Sequence, residues 1–309
     1  MPYGVGLELT ARCNLDCIHC YHVICSGAEM STEEITGLFD DLAQLGTMEL
    51  TLTGGEPLLR SDFPEILRYA VEKSGFSIKI FSNLTLLTAS LADLFASFPL
   101  NTIETTILGP DEAVHDRIAG CPGSFDALIK AIKMLKERNV PVAAKTIVMR
   151  SNMDGLDGMY RLADNLGIPF RHDDAVFVES DGSRKPLSQQ ISHKEILRLR
   201  KIMGMGEDAS PMSCNAAKSV MSISPDGTVF PCGPFPKPAG NIFETRLADI
   251  WYESPLMKSV RSLTDDDYSV CRNCVYLLRC SGCAAMGIGL ASGRKYPCRL
   301  ARKLPGHLS

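Results

Sequence analysis

The chain has 309 residues, 45% of them hydrophobic, and a formal net charge of -4, enough apolar material for one large domain with a smaller one beside it. The slight acidity argues against nucleic acid as a partner; residues 1–7 lack a secretory pattern, and no apolar run approaches the roughly 20 residues of a membrane span, so a cytoplasmic protein without a membrane partner is expected. Twelve cysteines in such a chain point to metal sites rather than disulfides.

From residue 3 to about 203, short β-rich runs alternate with amphipathic helical runs, which predicts an α/β fold of repeated βα units on a parallel sheet. Strands are expected over 3–9, 47–53, 76–81, 101–107, 141–149 and 168–178. Helices are expected from Ser31, whose Ser-Thr-Glu-Glu run has the form of a capping box, from Ser61, and near Thr88, Ser124, Asp154 and Ser188. Over 124–138, Phe125, Leu128, Ile129, Ile132 and Leu135 recur at helical spacing while Lys130, Lys133 and Lys136 face away. Six βα units fit a partial (β/α)6 barrel or an open doubly wound sheet, and periodicity does not separate the two. Residues 204–213 shift to Gly, Met, Asp, Ser and Pro and read as a linker, giving predicted domains at 1–203 and 214–309. The second is cysteine-rich, with a hairpin signal over 220–230; Trp251 reads as core and Asp265-Asp266-Asp267 as a solvated loop.

Cys13, Cys17 and Cys20 follow the first strand at CxxxCxxC spacing. Thiolates suit iron–sulfur clusters, and three of them leave one iron of a [4Fe–4S] cube without a protein ligand; a zinc site or buried thiols are the alternatives. Gly54-Gly55-Glu56-Pro57 follows the second strand, where ligand-facing loops of parallel α/β folds lie, and glycines there permit close backbone approach. Cys214, Cys232, Cys271, Cys274, Cys280, Cys283 and Cys298 include two CxxC pairs that admit a zinc ribbon as well as clusters, although seven cysteines are awkward for two zinc sites of four.

The CNLxCxHCY wording at 13–21, Gly54-Gly55-Glu56-Pro57, the stretch His115–Phe125, and the C-terminal cysteines with Ser224-Pro225-Asp226-Gly227 and Asp249-Ile250-Trp251 resemble the SPASM-domain branch of the radical SAM superfamily. The resemblance implies a partial (β/α)6 barrel followed by a small SPASM domain, with S-adenosylmethionine (SAM) and three [4Fe–4S] clusters, one radical-generating and two auxiliary. It assigns Cys13, Cys17 and Cys20 to the first cluster, Cys271, Cys274, Cys280 and Cys298 to one auxiliary cluster, and Cys214, Cys232 and Cys283 to the other, which then lacks a fourth cysteine. Cys280 and Cys283 stand one residue closer than the family's usual spacing, which loosens that split. Gly54, Gly55, Glu56, Ser82, Asn83 and Thr106 are implied cofactor contacts. Leu108 and Ala119 replace a carboxylate and an arginine usual in the family, so Lys145 or Arg150 becomes the candidate cation for the cofactor carboxylate.

In that family one electron enters the sulfonium of SAM and yields a 5′-deoxyadenosyl radical that takes a substrate hydrogen. The resemblance then implies modification of a ribosomally made precursor peptide by a crosslink or an epimerisation, with the auxiliary clusters accepting or relaying electrons. A dehydrogenase or epimerase of a small molecule, a sugar or cofactor precursor, is the alternative, and a non-catalytic electron carrier a third. An external one-electron donor of flavodoxin or ferredoxin type is expected. With about ten residues ahead of Cys13, any leader-binding function would fall to a separate protein. Cys25 and Cys121 stand outside the cluster sets as candidate hydrogen-atom donors, and His172-Asp173-Asp174 as a candidate substrate contact.

Overall fold

In the first three strands every second residue is apolar and buried (Val5 and Leu7, Leu50 and Leu52, Ile78 and Ile80), and this alternation decides which face of the sheet the helices cover. In the computed structural model, which describes residues 1–22, 27–202, 214–272, 283–291 and 298, six strands run parallel. They are β1 (Gly4–Glu8), β2 (Glu49–Thr53), β3 (Ser77–Phe81), β4 (Thr102–Thr106), β5 (Val142–Ile147) and β6 (Phe170–Asp173). Leu50, Leu52, Ile78 and Ile80 are buried in the main core. With them pack Phe39 and Leu42 of α1 (Thr32–Gln44) and Ile66 and Leu67 of α2 (Phe63–Glu72). The other face is polar and half-buried: Lys79 pairs with Glu49 at 2.8 Å, and Glu104 pairs with Lys145 at 2.7 Å and Arg171 at 2.9 Å.

The strands lie side by side in chain order, β6-β5-β4-β3-β2-β1, without the reversal that defines a doubly wound sheet. The arrangement is that of a partial (β/α)6 barrel, the alternative that periodicity left open. Helices α3 (Ala89–Ala96), α5 (Ser124–Glu137) and α6 (Leu156–Leu166) follow β3, β4 and β5, and α7 (His193–Ile202) follows β6. Local rules hold at their starts: Ser31 and Glu34 form the expected reciprocal capping box, and the Thr88 side chain accepts the Leu91 amide. Leu128, Ile132 and Leu135 of α5 are buried as their spacing predicts.

The structure departs from expectation in four places. The helix expected near Ser188 begins at His193, because Ser192 and Glu195 cap it reciprocally. An extra helix, α4 (Glu112–Ala119), precedes α5; its signal was Asp111, whose side chain caps the Val114 amide. Strand β6 stops at Asp173 rather than near 178, because the Asp173 carboxylate turns back to accept the Ala175 amide at 2.9 Å. Asp265, Asp266 and Asp267 form the first turn of helix α10 (Asp265–Arg272), where carboxylates are favoured by the helix dipole, and Asp267 accepts the Thr264 amide at 2.8 Å.

The predicted linker lies outside the described residues. Beyond it, β7 (Val220–Ile223) pairs parallel with the free edge of β1, from Gly4↔Val220 to Leu7↔Ile223. Strands β8 (Thr228–Phe230) and β9 (Gly240–Asn241) extend the sheet antiparallel to nine strands. The expected hairpin joins β7 to β8, and the Asp226 carboxylate accepts the Thr228 amide at its turn. Helices α8 (Leu247–Glu253), α9 (Pro255–Arg261), α10 and α11 (Ala284–Ala291) follow. Trp251 is core, as expected; the Arg261 guanidinium lies 4.7 Å from its ring centroid and donates to the Ala217 and Trp251 carbonyls. Among the described residues no helix is long and apolar enough to cross a membrane.

Candidate functional site

The segment carrying Cys13, Cys17 and Cys20 leaves the end of β1 and is held by three neighbouring loops. After β2, Gly55 and Glu56 donate their amides to the Thr10 and Arg12 carbonyls, both at 2.8 Å. A Cβ on Gly54, whose φ is +140°, would stand 2.5 Å from the Thr10 carbonyl oxygen, and one on Gly55 2.2 Å from that of Arg12. The close approach these glycines permit is therefore made to the chain leading into Cys13.

Glu56 turns inward and is fully buried. Its carboxylate accepts the Leu58 amide at 3.0 Å, the Ser82 hydroxyl at 2.7 Å and the Asn83 amide at 2.7 Å, tying the end of β2 to that of β3. Burial raises its pKa to about 7 against the lowering effect of these donors. Asn83 donates to Asn14 at 3.0 Å, and its Nδ2 lies 3.9 Å from Cys13 Sγ. Ser82 and Asn83 thus support the cysteine loop.

On the other side, the Asp16 and Ile18 amides donate to the Ala119 and Ile118 carbonyls at 3.0 and 3.1 Å. Gly120 ends α4 with φ +68°, and a Cβ there would meet the Asp16 carbonyl at 2.6 Å. His115 Nδ1 accepts the Leu108 amide, and Asp116 accepts the Gly123 and Phe125 amides and the Ser124 hydroxyl. The stretch His115–Phe125 thereby builds a platform for the loop, and at position 119 it is the main-chain carbonyl that makes the contact. Leu15 packs there with Leu108, Ile118 and Met149; Cys13, Cys17 and Cys121 border this small core.

The trio's chemistry follows from this burial. Desolvation raises all three thiol pKa values; at Cys17 the neighbouring Cys20 and Cys13 add to it, and Cys20 is pushed up to about 11. Three thiolates this close need a bound cationic centre to exist together. Among the described residues no three Cys, His, Asp or Glu side chains converge as they would around a single ion. Three soft thiolates at CxxxCxxC sequence spacing suit a cluster, in which each cysteine meets a different iron. His19 Nδ1 is buried beside the trio without a hydrogen-bond partner.

A second set gathers in the C-terminal segment. Cys214, Cys232 and Cys283 lie close enough to affect one another: burial, then Cys283 and Cys214, raises the Cys232 thiol. The Tyr268 hydroxyl faces Cys214, Cys283 and Cys271. Cys298 Sγ lies against Gly287 of α11, where a Cβ would meet it at 2.6 Å. Cys25, Cys274 and Cys280 lie outside the described residues.

The remaining expectations are placed as follows. Thr106 ends β4 in register with Lys145. The Lys145 ammonium is engaged by Glu104 at 2.7 Å and sits 3.8 Å from the Phe81 ring centroid, so its charge is already compensated. Cys121 borders Cys17 and contributes to raising its pKa. The His172 ring nitrogen is engaged by the Tyr160 hydroxyl at 2.8 Å, while Asp173 lies near enough to Cys283 to raise its thiol.

Sequence reading missed the cavity between the two cysteine sets. It measures about 270 Å³ and is lined by Glu8, Tyr21, His22, Glu179, Asp226 and Gly233 among others. Tyr21 follows Cys20 and Gly233 follows Cys232; a Cβ on Gly233 would lie 3.3 Å from the Tyr21 hydroxyl. The signal available was Glu8, a carboxylate in an otherwise uncharged strand. Burial, then the charge of Asp226, pushes Glu8 up to about 8 from its ordinary value near 4.5. The folded chain therefore holds a proton that the unfolded chain releases, and the resulting cost to stability appears above about pH 4.5 and is complete above about pH 8. In thermal melts Glu8→Gln is expected to flatten the loss of stability over that range and to melt above the wild type at its alkaline end; parallel pH profiles would refute the assignment.

Comparison with known proteins places this geometry. A sequence profile of the Radical SAM superfamily matches residues 7–163, and one of an iron-sulfur cluster-binding domain, SPASM, matches residues 214–275. The AdoMet-dependent heme synthase of Methanosarcina barkeri is 28% identical, over 92% of this chain and 91% of that protein. The PqqA peptide cyclase of Granulibacter bethesdensis is also 28% identical, over 88% of this chain and 79% of that one. The crystal structure of Streptococcus suis SuiB bound to its precursor peptide SuiA superposes with a TM-score of 0.74 at 18% identity, covering 96% of this chain and 74% of that chain, a likeness of fold.

Proposed function

The chain belongs to the radical SAM superfamily and carries the SPASM iron–sulfur extension, and from that premise we propose that it modifies a ribosomally made precursor peptide by a crosslink or an epimerisation. Cys13, Cys17 and Cys20 would hold the radical-generating cluster, Cys214, Cys232 and Cys283 one auxiliary cluster, and Cys271, Cys274, Cys280 and Cys298 the other. When bound, SAM and its cluster would supply the radical chemistry that no side chain provides. The protein's own part is positional. The β2 loop and the α4 platform fix the trio, Glu56 locks Ser82 and Asn83 behind it, and the buried surround excludes water. An external one-electron donor of flavodoxin or ferredoxin type completes this reading.

The observation that carries the peptide reading is the cavity between the cysteine sets. At about 270 Å³ it suits a single side chain reaching in from an extended peptide. The PqqA peptide cyclase relative supports the same reading. A small-molecule substrate is the second reading, favoured by the heme synthase relative, which matches nearly the whole chain. To separate them, the reduced, reconstituted enzyme would be incubated with SAM and either a short peptide encoded beside its gene or an iron coproporphyrin. Mass spectrometry is expected to find the peptide short of two hydrogens, or carrying solvent deuterium at one Cα. An unchanged peptide together with a converted porphyrin would sink the peptide reading.

A further inference from the structure

Among the described residues the buried glutamates Glu56 and Glu104 are compensated and Glu8 is not. Glu104 has Lys145 and Arg171, and Glu56 has three hydrogen-bond donors. Glu8 is 9% exposed and lines the cavity between the cysteine sets. Its nearest polar partner, His22 Nδ1, stands at 3.6 Å, beyond hydrogen-bond reach. Glu179 and Asp226 line the same cavity, and among the described residues no lysine or arginine does. A carboxylate held out of water with no counter-charge keeps its proton unless a cation supplies that charge.

We propose that this cavity is the subsite for a cationic group of the substrate, an ammonium or guanidinium on an alkyl stem, and that Glu8 is the residue that selects it. The rest of the lining favours that class over a metal ion. Val178, Pro225, Phe230, Pro234, Phe235 and Pro236 give the cavity apolar walls that an alkyl stem would cover. Among the described residues no three carboxylate, thiol or imidazole groups converge to coordinate an ion. Burial first, and then the charge of Asp226, raises the proton affinity of Glu8; Asp226 itself is held ionised by the Ser224 hydroxyl and the Thr228 amide, and an arriving cation would let Glu8 ionise beside it. Position gives the subsite its use: Tyr21 and Gly233, the neighbours of Cys20 and Cys232, form its sides, so a side chain anchored here lies alongside both cysteine sets. In terms of the peptide reading, on which this assignment rests, the anchored residue is a lysine or arginine at or next to the modified position.

The test is binding to the reconstituted enzyme, followed by ligand-observed NMR. The probes are N-acetyl-lysine and N-acetyl-arginine methylamides, n-butylammonium as the free amine, and N-acetyl-norleucine methylamide as the neutral analogue. The cationic probes are expected to saturate, with the norleucine derivative at least about tenfold weaker, and Glu8→Gln is expected to weaken the lysine probe by about tenfold or more. Glu179→Gln, at a half-buried position whose change disturbs no packed core, is expected to weaken it about two- to fivefold; it keeps the test sound if Glu8→Gln melts abnormally. The proposal is overturned if norleucine and lysine probes bind alike, if neither variant changes lysine binding, or if no cationic probe saturates. Glu8-dependent binding of n-butylammonium alongside a failed peptide assay would leave the subsite standing and remove the peptide reading. A modified peptide with no cation selectivity would do the reverse.

Discussion

Cys17→Ala is expected to reduce reductive cleavage of SAM by at least about a thousandfold, since radical generation belongs to the cluster and this change removes one of its three proposed ligands. Cys17 has the most strongly raised thiol of the trio, through burial first and then the charges of Cys20 and Cys13. The fold around it should survive. The main-chain bonds from Asp16 to Ala119 and from Ile18 to Ile118 flank the position and involve no side chain of residue 17. The checks are 5′-deoxyadenosine formed under strong reductant and iron per chain, with the melting temperature of the cluster-free variant as the control for folding. Cys121→Ala provides the contrast, because Cys121 influences Cys17 yet stands outside the trio. That variant should retain SAM cleavage; if the native enzyme epimerises its substrate with Cys121 as hydrogen donor, only the epimerised product should disappear. Undiminished cleavage in Cys17→Ala would remove the trio from the mechanism.

Gly55→Ala should be the most damaging conservative change in the β2 loop, at about 2–4 kcal/mol, because the new methyl collides with backbone rather than with a flexible side chain. Its Cβ would lie 2.2 Å from the Arg12 carbonyl oxygen. Relieving the clash means separating two segments joined by the Gly55–Thr10 and Glu56–Arg12 hydrogen bonds. Those bonds set the course of the chain into Cys13, so lowered iron content should accompany the lowered melting temperature. Gly75→Ala separates this from conformational strain: Gly75 has φ +70°, but a Cβ there meets nothing within 4 Å, so its cost should stay near 1 kcal/mol. If Gly55→Ala melts no lower than Gly75→Ala, the steric account of the glycine pair fails.

The roles of these glycines show where motif reading stops. The Gly54-Gly55-Glu56-Pro57 stretch was legible as a functional loop at a strand end, but not as the clamp on residues 9–12. The same holds for His115–Phe125, which reads as a cofactor-side motif and is built as a support for the cysteine loop through the Ile118 and Ala119 carbonyls. Main-chain carbonyls leave no trace in residue identity, so their partners stay invisible until the chain is folded. Lys145 is the converse case: its charge and position suggested a free cation, yet Glu104, on the neighbouring strand, takes it up. Strand register decides such a pairing, and residue spacing does not.

Sequence alone determined what depends on near neighbours along the chain. The capping box at Ser31, the Thr88 cap, the inward stripe of α5 and the 220–230 hairpin follow from residues a few positions apart, whose bonds close within one or two turns. The cysteine spacing likewise sets which metal chemistry the chain can host, because ligand type and proximity are written locally. Tertiary structure alone decided what brings distant segments together. Strand order chose the partial barrel over the doubly wound sheet, and β7 closed on β1 across more than 200 residues. Asn83 came to stand behind Cys13, and Glu8 was enclosed with Asp226 and Glu179 between the two cysteine sets. Such contacts arise from parallel pairing and crossover packing, whose partners no local pattern specifies. The cavity around Glu8 belongs wholly to this second class.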